Sequence, residues 1–205
     1  MKNATKLIIL AILLIFTGVT YGQDVNNKLA DAKTAYKQGN LDDARMSLQD
    51  ALDQVNMAIG KEILGVLPSK MGDMPFNESD DNITGTSAGF AGLYVNRTYG
   101  KSDGDKNASI EIISDSPLIA SINTILAMPL MGKMGDPDQK RIKVDGYKAL
   151  LKKNEGSGGT SPSYDVQVPF GNSMLTFHCD GVSNEEDMVN MANTIPMTKI
   201  AELSK

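Results

Sequence analysis

Residues 164–179 read YDVQVPFGNSMLTFHC and contain two segments of alternating polarity joined by a turn. Apolar residues occupy every second position over 164–170, and a similar alternation resumes over 174–179. The dipeptide Gly171-Asn172 between the two segments is of the kind that tight turns favour. This spacing predicts two adjacent antiparallel strands that bury one face.

Three further segments upstream show strand patterns. They are a strand within 91–99, a strand marked by Ile110, Ile112 and Ile113, and one or two strands over 141–152 interrupted by Asp145-Gly146. Because the turns between these segments are short, neighbouring strands are expected to pair antiparallel.

Helical patterns follow or separate these strands. They span 117–128, a segment that begins near Asn184, and 198–203. Ser183, with Glu186 three positions later, fits a capping box for the second of these helices. The sequence therefore predicts an α+β domain over 90–205, an antiparallel sheet with helices packed on one face. The arrangement loosely resembles the PsbP-like combination of sheet and helices, and that likeness concerns the fold alone.

The region before this domain is helical by its apolar spacing. Residues 23–66 contain two apolar stripes at helical spacing, separated by Gly39-Asn40. Asp42 and Asp43 lie near the start of the second stripe, where the helix dipole favours negative charge. We expect a helical hairpin over 23–66.

Part of this hairpin resembles a known repeat. Residues 35–52 resemble the turn and second helix of a tetratricopeptide repeat, in a single copy. Such repeats need about three copies to bury a continuous core. The family's proline at the end of the second helix is replaced by Asn56. The resemblance therefore does not carry a peptide-binding groove with it.

Residues 67–89 are rich in Gly, Ser, Asp and Asn and contain Pro68 and Pro75, which predicts a linker. The acidic residues Glu78, Asp80 and Asp81 within it are interpreted as a solvated loop, with weak calcium binding left open.

The first 22 residues predict export. Two lysines precede and flank an apolar run over 7–16, and Gly22 precedes Gln23 at a small-residue cleavage site. This is the pattern of a secretory signal peptide, and the run is too short to span a membrane comfortably. We expect cleavage near Gly22-Gln23 and a soluble periplasmic or extracellular product.

Composition narrows the function classes. The formal charge is −5, and removal of the signal, with its two lysines and no acids, makes it −7. The sequence therefore lacks the basic footprint that nucleic acid or an anionic membrane surface attracts. The single cysteine, Cys179, excludes an internal disulfide, and no cysteine follows the apolar run to accept a lipid anchor.

The only histidine, His178, is adjacent to Cys179. Adjacent side chains of a strand point to opposite faces, whereas a thiolate–imidazole pair requires both groups to converge. We interpret Cys179 as a buried structural residue. No catalytic residue is assigned.

Two metal patterns are present in incomplete form. Asp103, Asp105 and Asn107 match the opening of a calcium loop, but Ala108 and Ser114 occupy positions where glycine and a carboxylate are required. We interpret this segment as a hairpin turn.

The second pattern is a run of methionines. Met128, Met131 and Met134 repeat every three residues, and thioethers are ligands that Cu(I) prefers. Pro129 and Gly132 interrupt a common helical face. The three methionines are therefore only weak candidates for metal ligands, and no cofactor is expected.

Several segments together resemble a group of uncharacterised exported bacterial proteins. They are Ala44 to Pro68, Arg97-Thr98-Tyr99, Asp115 to Leu118, Ile142 to Ala149, and the terminal strand and helix. Many of those relatives carry a tryptophan after the Leu-Pro pair, and this chain has none. The resemblance implies export and supplies no activity or site residue.

The sequence thus favours an exported, non-enzymatic binding or structural protein of the cell envelope. It is expected to act through protein–protein interaction, for example with another envelope protein, using the hairpin or an exposed sheet face. One alternative is a binder of Cu(I) or an apolar ligand that uses residues 117–134. A second alternative is a hydrolase with an unrecognised carboxylate site.

Overall fold

The computed structural model describes residues 20–85, 92–101, 104, 106–128, 138–155, 162–182 and 184–205, with side chains from residue 24 onward. The chain divides into two compact units, the first ending at Ala58 and the second running from Ile59 to Lys205. Of the predicted signal peptide, residues 1–19 lie outside the described part.

The first unit contains a helical hairpin, as predicted. Helix α1 spans Thr20–Lys37, and helix α2 spans Leu41–Val66 and so extends into the second unit. Gly39 turns the chain between them at φ +77°, a conformation that glycine adopts without steric cost. An ion pair of 2.7 Å between Lys28 and Asp50 joins the two helices, which therefore run antiparallel.

The second unit is built on one large sheet. Its strands are β3 (Asn82–Thr84), β4 (Tyr94–Gly100), β5 (Asn107–Ser114), β6 (Gln139–Val144), β7 (Tyr147–Asn154), β8 (Ser163–Phe170) and β9 (Ser173–Asp180). They lie in the order β3-β4-β5-β9-β8-β7-β6, and every neighbouring pair is antiparallel. The α+β class predicted from the sequence is confirmed.

One face of this sheet carries the main core. Alternate residues of the central strands are buried there, among them Ile110, Val166, Leu175 and Phe177. The helices α4 (Glu185–Ala192) and α5 (Met197–Leu203) pack on the same face. The end of α2 joins them through Ile63.

Helix α3 (Ile119–Ala127) departs from the expected placement. Its residue Ile122 packs with Leu150 and Met174, whose neighbours in the strands belong to the main core. Since successive residues of a strand point to opposite faces, α3 lies on the other side of the sheet. The expectation of helices on one face therefore holds for α4 and α5 and is wrong for α3.

The segment expected to be a linker is largely structured. Residues 67–84 form β1 (Lys70–Met71), β2 (Met74–Pro75), a 3-10 turn at Glu78–Asp80, and β3. Met71 and Met74 are buried in the main core. Their apolar side chains outweigh the polar composition of the segment, because their burial stabilises the fold. Residues 86–91 lie outside the described part.

Close packing also explains a glycine in α2. A Cβ at Gly60 would lie 2.5 Å from Cγ2 of Ile83, closer than real side-chain atoms approach. Glycine at this position therefore lets the helix approach β3.

Candidate functional site

The interface between α1 and the first part of α2 is made by small residues. Over residues 24–58, the part of the first unit whose side chains the structure describes, the buried hydrophobic residues are Ala32, Ala44 and Ala51. Small side chains let two helices approach closely, but they bury little apolar area. The large apolar side chains of this hairpin are therefore expected on its exposed surface, outside the contact between the two helices.

Seven large apolar side chains of the hairpin are exposed by 41–69%. They are Leu29, Tyr36, Leu41, Met46, Leu48, Leu52 and Val55. Most of them follow one rule of spacing, standing three positions before or four positions after a buried alanine. Leu29 and Tyr36 flank Ala32, Leu41 and Leu48 flank Ala44, and Leu48 and Val55 flank Ala51.

This spacing places the exposed residues on one side of the hairpin. Each residue of a helix advances by about 100°, so both flanking positions lie about 40–60° from the alanine in the same rotational sense. In two antiparallel helices that face each other, an equal rotation brings both stripes to the same side. Leu52 does not follow the spacing but lies about 100° from Ala51 in the same rotational sense, and so on the same side. We name the surface made of Leu29, Tyr36, Leu41, Leu48, Leu52 and Val55 the apolar face of the hairpin.

Met46 provides a contrast on the same hairpin. It is 64% exposed and lies about 160° around α2 from Leu48. It is therefore an isolated apolar residue on the opposite side, of the kind that soluble proteins tolerate. The apolar face of the hairpin differs from Met46 in that several exposed apolar side chains lie on the same side.

The residues considered for nucleophilic catalysis are held apart. Cys179 is fully buried in the main core, and burial raises the pKa of its thiol to about 12. His178 projects from the other face of β9, with its side chain 34% exposed. The structure thus gives Cys179 the buried position that was predicted, where the thiolate is disfavoured.

His178 belongs to a cluster that the sequence did not reveal. Its Nδ1 atom lies 2.7 Å from Oδ1 of Asp165, and its Nε2 atom lies 3.3 Å from Oδ1 of Asp180. Asn154 donates a hydrogen bond of 2.8 Å to the other oxygen of Asp165. The hydrogen bond with Asp165 is the main cause of a raised pKa for His178, opposed by burial and supported by the charge of Asp180.

This cluster is poorly arranged for general-base chemistry. Ser109 lies directly opposite His178 on β5, which places Asp165, His178 and Ser109 in line across three strands. A serine nucleophile needs a free imidazole nitrogen to accept its proton. Here both nitrogens face carboxylates, an arrangement that favours the imidazolium.

The described residues do not form a metal site from either the calcium-loop pattern or the run of methionines. Asp103 and Asp105 lie outside the described part, and Asn107 and Ala108 begin β5. Met131 and Met134 also lie outside it, while Met128 is 53% exposed at the end of α3. In the ranges that the structure describes, no three His, Cys, Asp or Glu side chains are grouped to hold a metal ion.

The acidic segment at 78–81 is tied to the sheet by an ion pair. Arg97, on the core face of β4, is 7% exposed and donates hydrogen bonds of 2.9 and 2.5 Å to the two carboxylate oxygens of Asp81. It also donates to the carbonyl of Leu64 at 2.9 Å, and its guanidinium lies 4.3 Å from the ring centre of Phe76. Asp81 is therefore a structural partner of Arg97, which corrects its interpretation as part of a solvated loop.

A cavity of about 250 Å³ lies where β1 and β2 meet the ends of β5, β9 and α4. Met74, Val182 and Met191 supply apolar surface, while Lys106 and Asp180 are among its polar residues. Its opening and mixed lining fit a small ligand only in general terms.

Comparisons with known proteins identify no relative of this chain. No protein-family model, curated protein or solved structure matches the chain. Within the described ranges, no helix combines the length and the apolar character that crossing a membrane requires.

Proposed function

We propose that the protein is an exported, non-enzymatic binding protein of the cell envelope that acts through the apolar face of its hairpin. The observation that carries this proposal is the exposure of large apolar residues beside buried alanines. Leu48, for example, is 53% exposed, whereas Ala44 and Ala51 are 5% and 4% exposed. The signal-peptide pattern of residues 1–22 supports export.

The spacing of this face suits one kind of partner. Leu41, Leu48, Leu52 and Val55 recur at intervals of seven, four and three residues, which is the periodicity of a helix–helix contact. A second row, from Leu29 and Tyr36, lies on the same side of α1. Two parallel rows of apolar side chains form the type of surface on which an amphipathic helix docks. We therefore infer that the partner supplies an amphipathic helix.

Site-specific cross-linking tests this proposal in the full secreted chain. A photoreactive residue is placed at Leu52, within the apolar face, or at Met46, on the opposite side of the same helix. We expect a discrete cross-linked partner from position 52 and none from position 46 when the protein is irradiated in its own envelope fraction. Equal cross-linking from both positions, or none from either, would contradict the proposal.

Binding to the identified partner then gives the quantitative test. The partner's cross-linked segment is synthesised, and its affinity for the purified protein is measured by calorimetry. The double substitution Leu48→Ser with Leu52→Ser is expected to weaken binding at least tenfold, since it removes two apolar side chains from the face. Met46→Ser is the matched control, and it is expected to leave the affinity unchanged.

Self-association is the competing outcome of the same experiment. If the cross-linked species is a dimer of this chain, sedimentation should show a dimer that the Leu48→Ser, Leu52→Ser variant dissociates. That result would assign the apolar face to contact between copies and replace the heterologous partner.

A further inference from the structure

The hairpin of β6 and β7 concentrates positive charge in an acidic protein. Six of the 20 Lys and Arg residues of the chain lie between 139 and 154, together with one acidic residue, Asp145. The carboxylate of Asp145 accepts a hydrogen bond from the backbone N–H of Thr198, at the start of α5. The hairpin thus forms a local basic region in a chain of net negative charge.

Three of these cations lie on the same face of the sheet as α3. Arg141 and Lys143 alternate along β6 with residues of the core face, and Lys148 faces Lys143 directly in the register of β6 and β7. Arg141 also pairs in register with Leu150, on which α3 packs. Its guanidinium donates a hydrogen bond to the carbonyl of Met128 at the end of α3, which orients it.

A cleft of about 290 Å³ lies among these side chains. It is lined by Leu126, Arg141, Ile142, Lys143 and Lys148. A second space of about 430 Å³ shares Leu126 and Lys148 and continues along α3. Lysine and arginine side chains line these spaces on the side of the strands, and on the side of α3 the apolar Leu126 and Ala127 lie beside the polar Asn123.

Among the residues that the structure describes, no carboxylate lines either space. The ion pairs of this hairpin that the structure describes are Lys140 with Glu185 and Lys153 with Glu155, and neither involves the three lining cations. Lys152 lies opposite Asp165 in the register. Like charges that face each other across a strand pair are unfavourable, so Lys143 and Lys148 repel each other at the edge of the cleft.

Protection of a sheet edge explains part of this pattern. β6 is an edge strand, and lysines on edge strands oppose aggregation. That role does not require Lys148, which lies on the inner strand β7, nor an Arg141 oriented by α3. Convergence of three cations on a cleft is instead the arrangement that phosphate groups bind.

We propose that this cleft binds a phosphate-bearing molecule with a short apolar part. The phosphate lies between Lys143, Lys148 and Arg141, and the apolar part lies on Leu126 along α3. A phosphate carries up to two negative charges, which offsets the repulsion between the two lysines. The inference is independent of the role proposed for the apolar face of the hairpin.

Hexyl phosphate is a soluble probe of this site. We expect saturable one-to-one binding by calorimetry, with an affinity that falls as salt is added. Hexanol, which lacks the phosphate, is expected not to bind measurably. The proposal would be overturned if the protein bound neither hexyl phosphate nor anionic lipid vesicles.

Two double variants of equal charge separate the cleft from the net charge. Lys143→Gln with Lys148→Gln removes two lining cations, and Lys70→Gln with Lys101→Gln removes two exposed cations elsewhere in the same unit. We expect the first variant to weaken binding at least tenfold and the second to change it less than twofold. Equal weakening by both would show a general charge effect and refute the cleft. The folding of each variant is checked by its urea midpoint.

The phosphate could belong to a lipid headgroup or to a free phosphorylated ligand, and binding to lipid vesicles distinguishes the two. Co-sedimentation compares vesicles of phosphatidylcholine alone with vesicles that contain phosphatidylglycerol. Binding to the anionic vesicles that the Lys143→Gln, Lys148→Gln variant loses would assign the site to a lipid headgroup. Binding of hexyl phosphate without vesicle binding would assign it to a free phosphorylated ligand.

Discussion

Asp165 and His178 stand directly opposite each other on β8 and β9, with Oδ1 and Nδ1 2.7 Å apart. The pair lies on the face of the sheet away from the main core. Burial pushes the pKa of Asp165 upward, but hydrogen bonds from His178 and Asn154 more than offset it, so the pKa is lowered. The pKa of His178 is raised, first by its hydrogen bond with Asp165. The two shifts agree in favouring the ionised pair.

This pair predicts a pH-dependent contribution to stability. A histidine whose pKa is raised on folding stabilises the folded state fully below its unfolded pKa of about 6.5, and the contribution is lost as pH rises through the folded value. We expect His178→Gln to cost about 0.5–1 kcal/mol at pH 5.5 and less at pH 8.5, since the pair is partly exposed. Urea unfolding at the two pH values measures the difference.

The single histidine makes the titration itself easy to follow. Its ring proton resonance in an NMR titration reports the pKa of His178 without assignment. Asp165→Asn should move that pKa down toward its ordinary value, because it removes the main cause of the shift. A wild-type pKa at or below 6.5 would contradict the structure.

The same pair shows what the sequence could and could not predict. The alternation in 164–179 and the turn at Gly171-Asn172 predict both strands, and the structure has β8 and β9 there. Adjacent positions also predict that His178 and Cys179 face opposite ways. The partner of His178 depends on the register across the turn, and the neighbour on its other side, Ser109, comes from β5, far away in the chain.

Local signals do not decide between neighbouring residues that cap a helix about equally well. For the start of α4 the sequence predicts Ser183 as the cap, with Glu186 completing the capping box, and Ser183 itself lies outside the described residues. The structure uses Asn184, whose side chain accepts a hydrogen bond of 2.9 Å from the backbone of Asp187. The prediction of Ser183 as the cap was wrong by one residue, because both residue types cap helices well.

Substitution of Arg97 is expected to destabilise the second unit strongly. Arg97→Met would leave the carboxylate of Asp81, whose side chain is 12% exposed, without its partner. Removing one member of a buried pair costs about 3–5 kcal/mol. Arg97→Lys keeps the charge but loses the two-pronged contact and the stacking on Phe76, and it is expected to cost about 2 kcal/mol. Urea unfolding measures both values.

A double variant separates the charge from the packing. Arg97→Met combined with Asp81→Leu removes both charges, so it should be more stable than Arg97→Met alone. A loss below about 0.5 kcal/mol for Arg97→Met, the range of an ordinary surface substitution, would show that the pair is not buried in solution.

Such an arginine leaves a faint signal in the sequence. Val95, Arg97 and Tyr99 occupy successive inward positions of β4, so a charged residue stands where the alternation predicts an apolar one. The signal says that a partner is needed, but it does not identify Asp81, which lies in a segment whose composition predicts a linker.

The hairpin of the first unit should respond to substitution in an unusual way. Ala51→Leu introduces a large side chain where Ala51 is 4% exposed, and overpacking of this kind costs about 1–3 kcal/mol. Leu48→Ala, at a position 53% exposed, should change stability by less than about 0.5 kcal/mol. Leucine and alanine have similar helix propensities, so the contrast reports packing. Amide hydrogen exchange over residues 24–58 measures it. A larger loss for Leu48→Ala would mean that the apolar face of the hairpin is covered within the chain.

Cys179 predicts a thiol that reacts only after the fold opens. Burial raises its pKa to about 12, so little thiolate forms near neutral pH, and the side chain is fully buried on the core face of β9. In native buffer, labelling by a disulfide reagent such as DTNB should therefore require opening of the core and follow the fraction of open molecules. In strong denaturant the same thiol should react at the rate of a free cysteine. The chain has one cysteine, so the absorbance change reports this site alone. Arg97→Lys should speed the native reaction, because it shifts the opening equilibrium and a loss of about 2 kcal/mol raises the open fraction about 30-fold. Rapid native labelling that is unaffected by Arg97→Lys would instead place the thiol at an accessible position and contradict its interpretation as a structural residue.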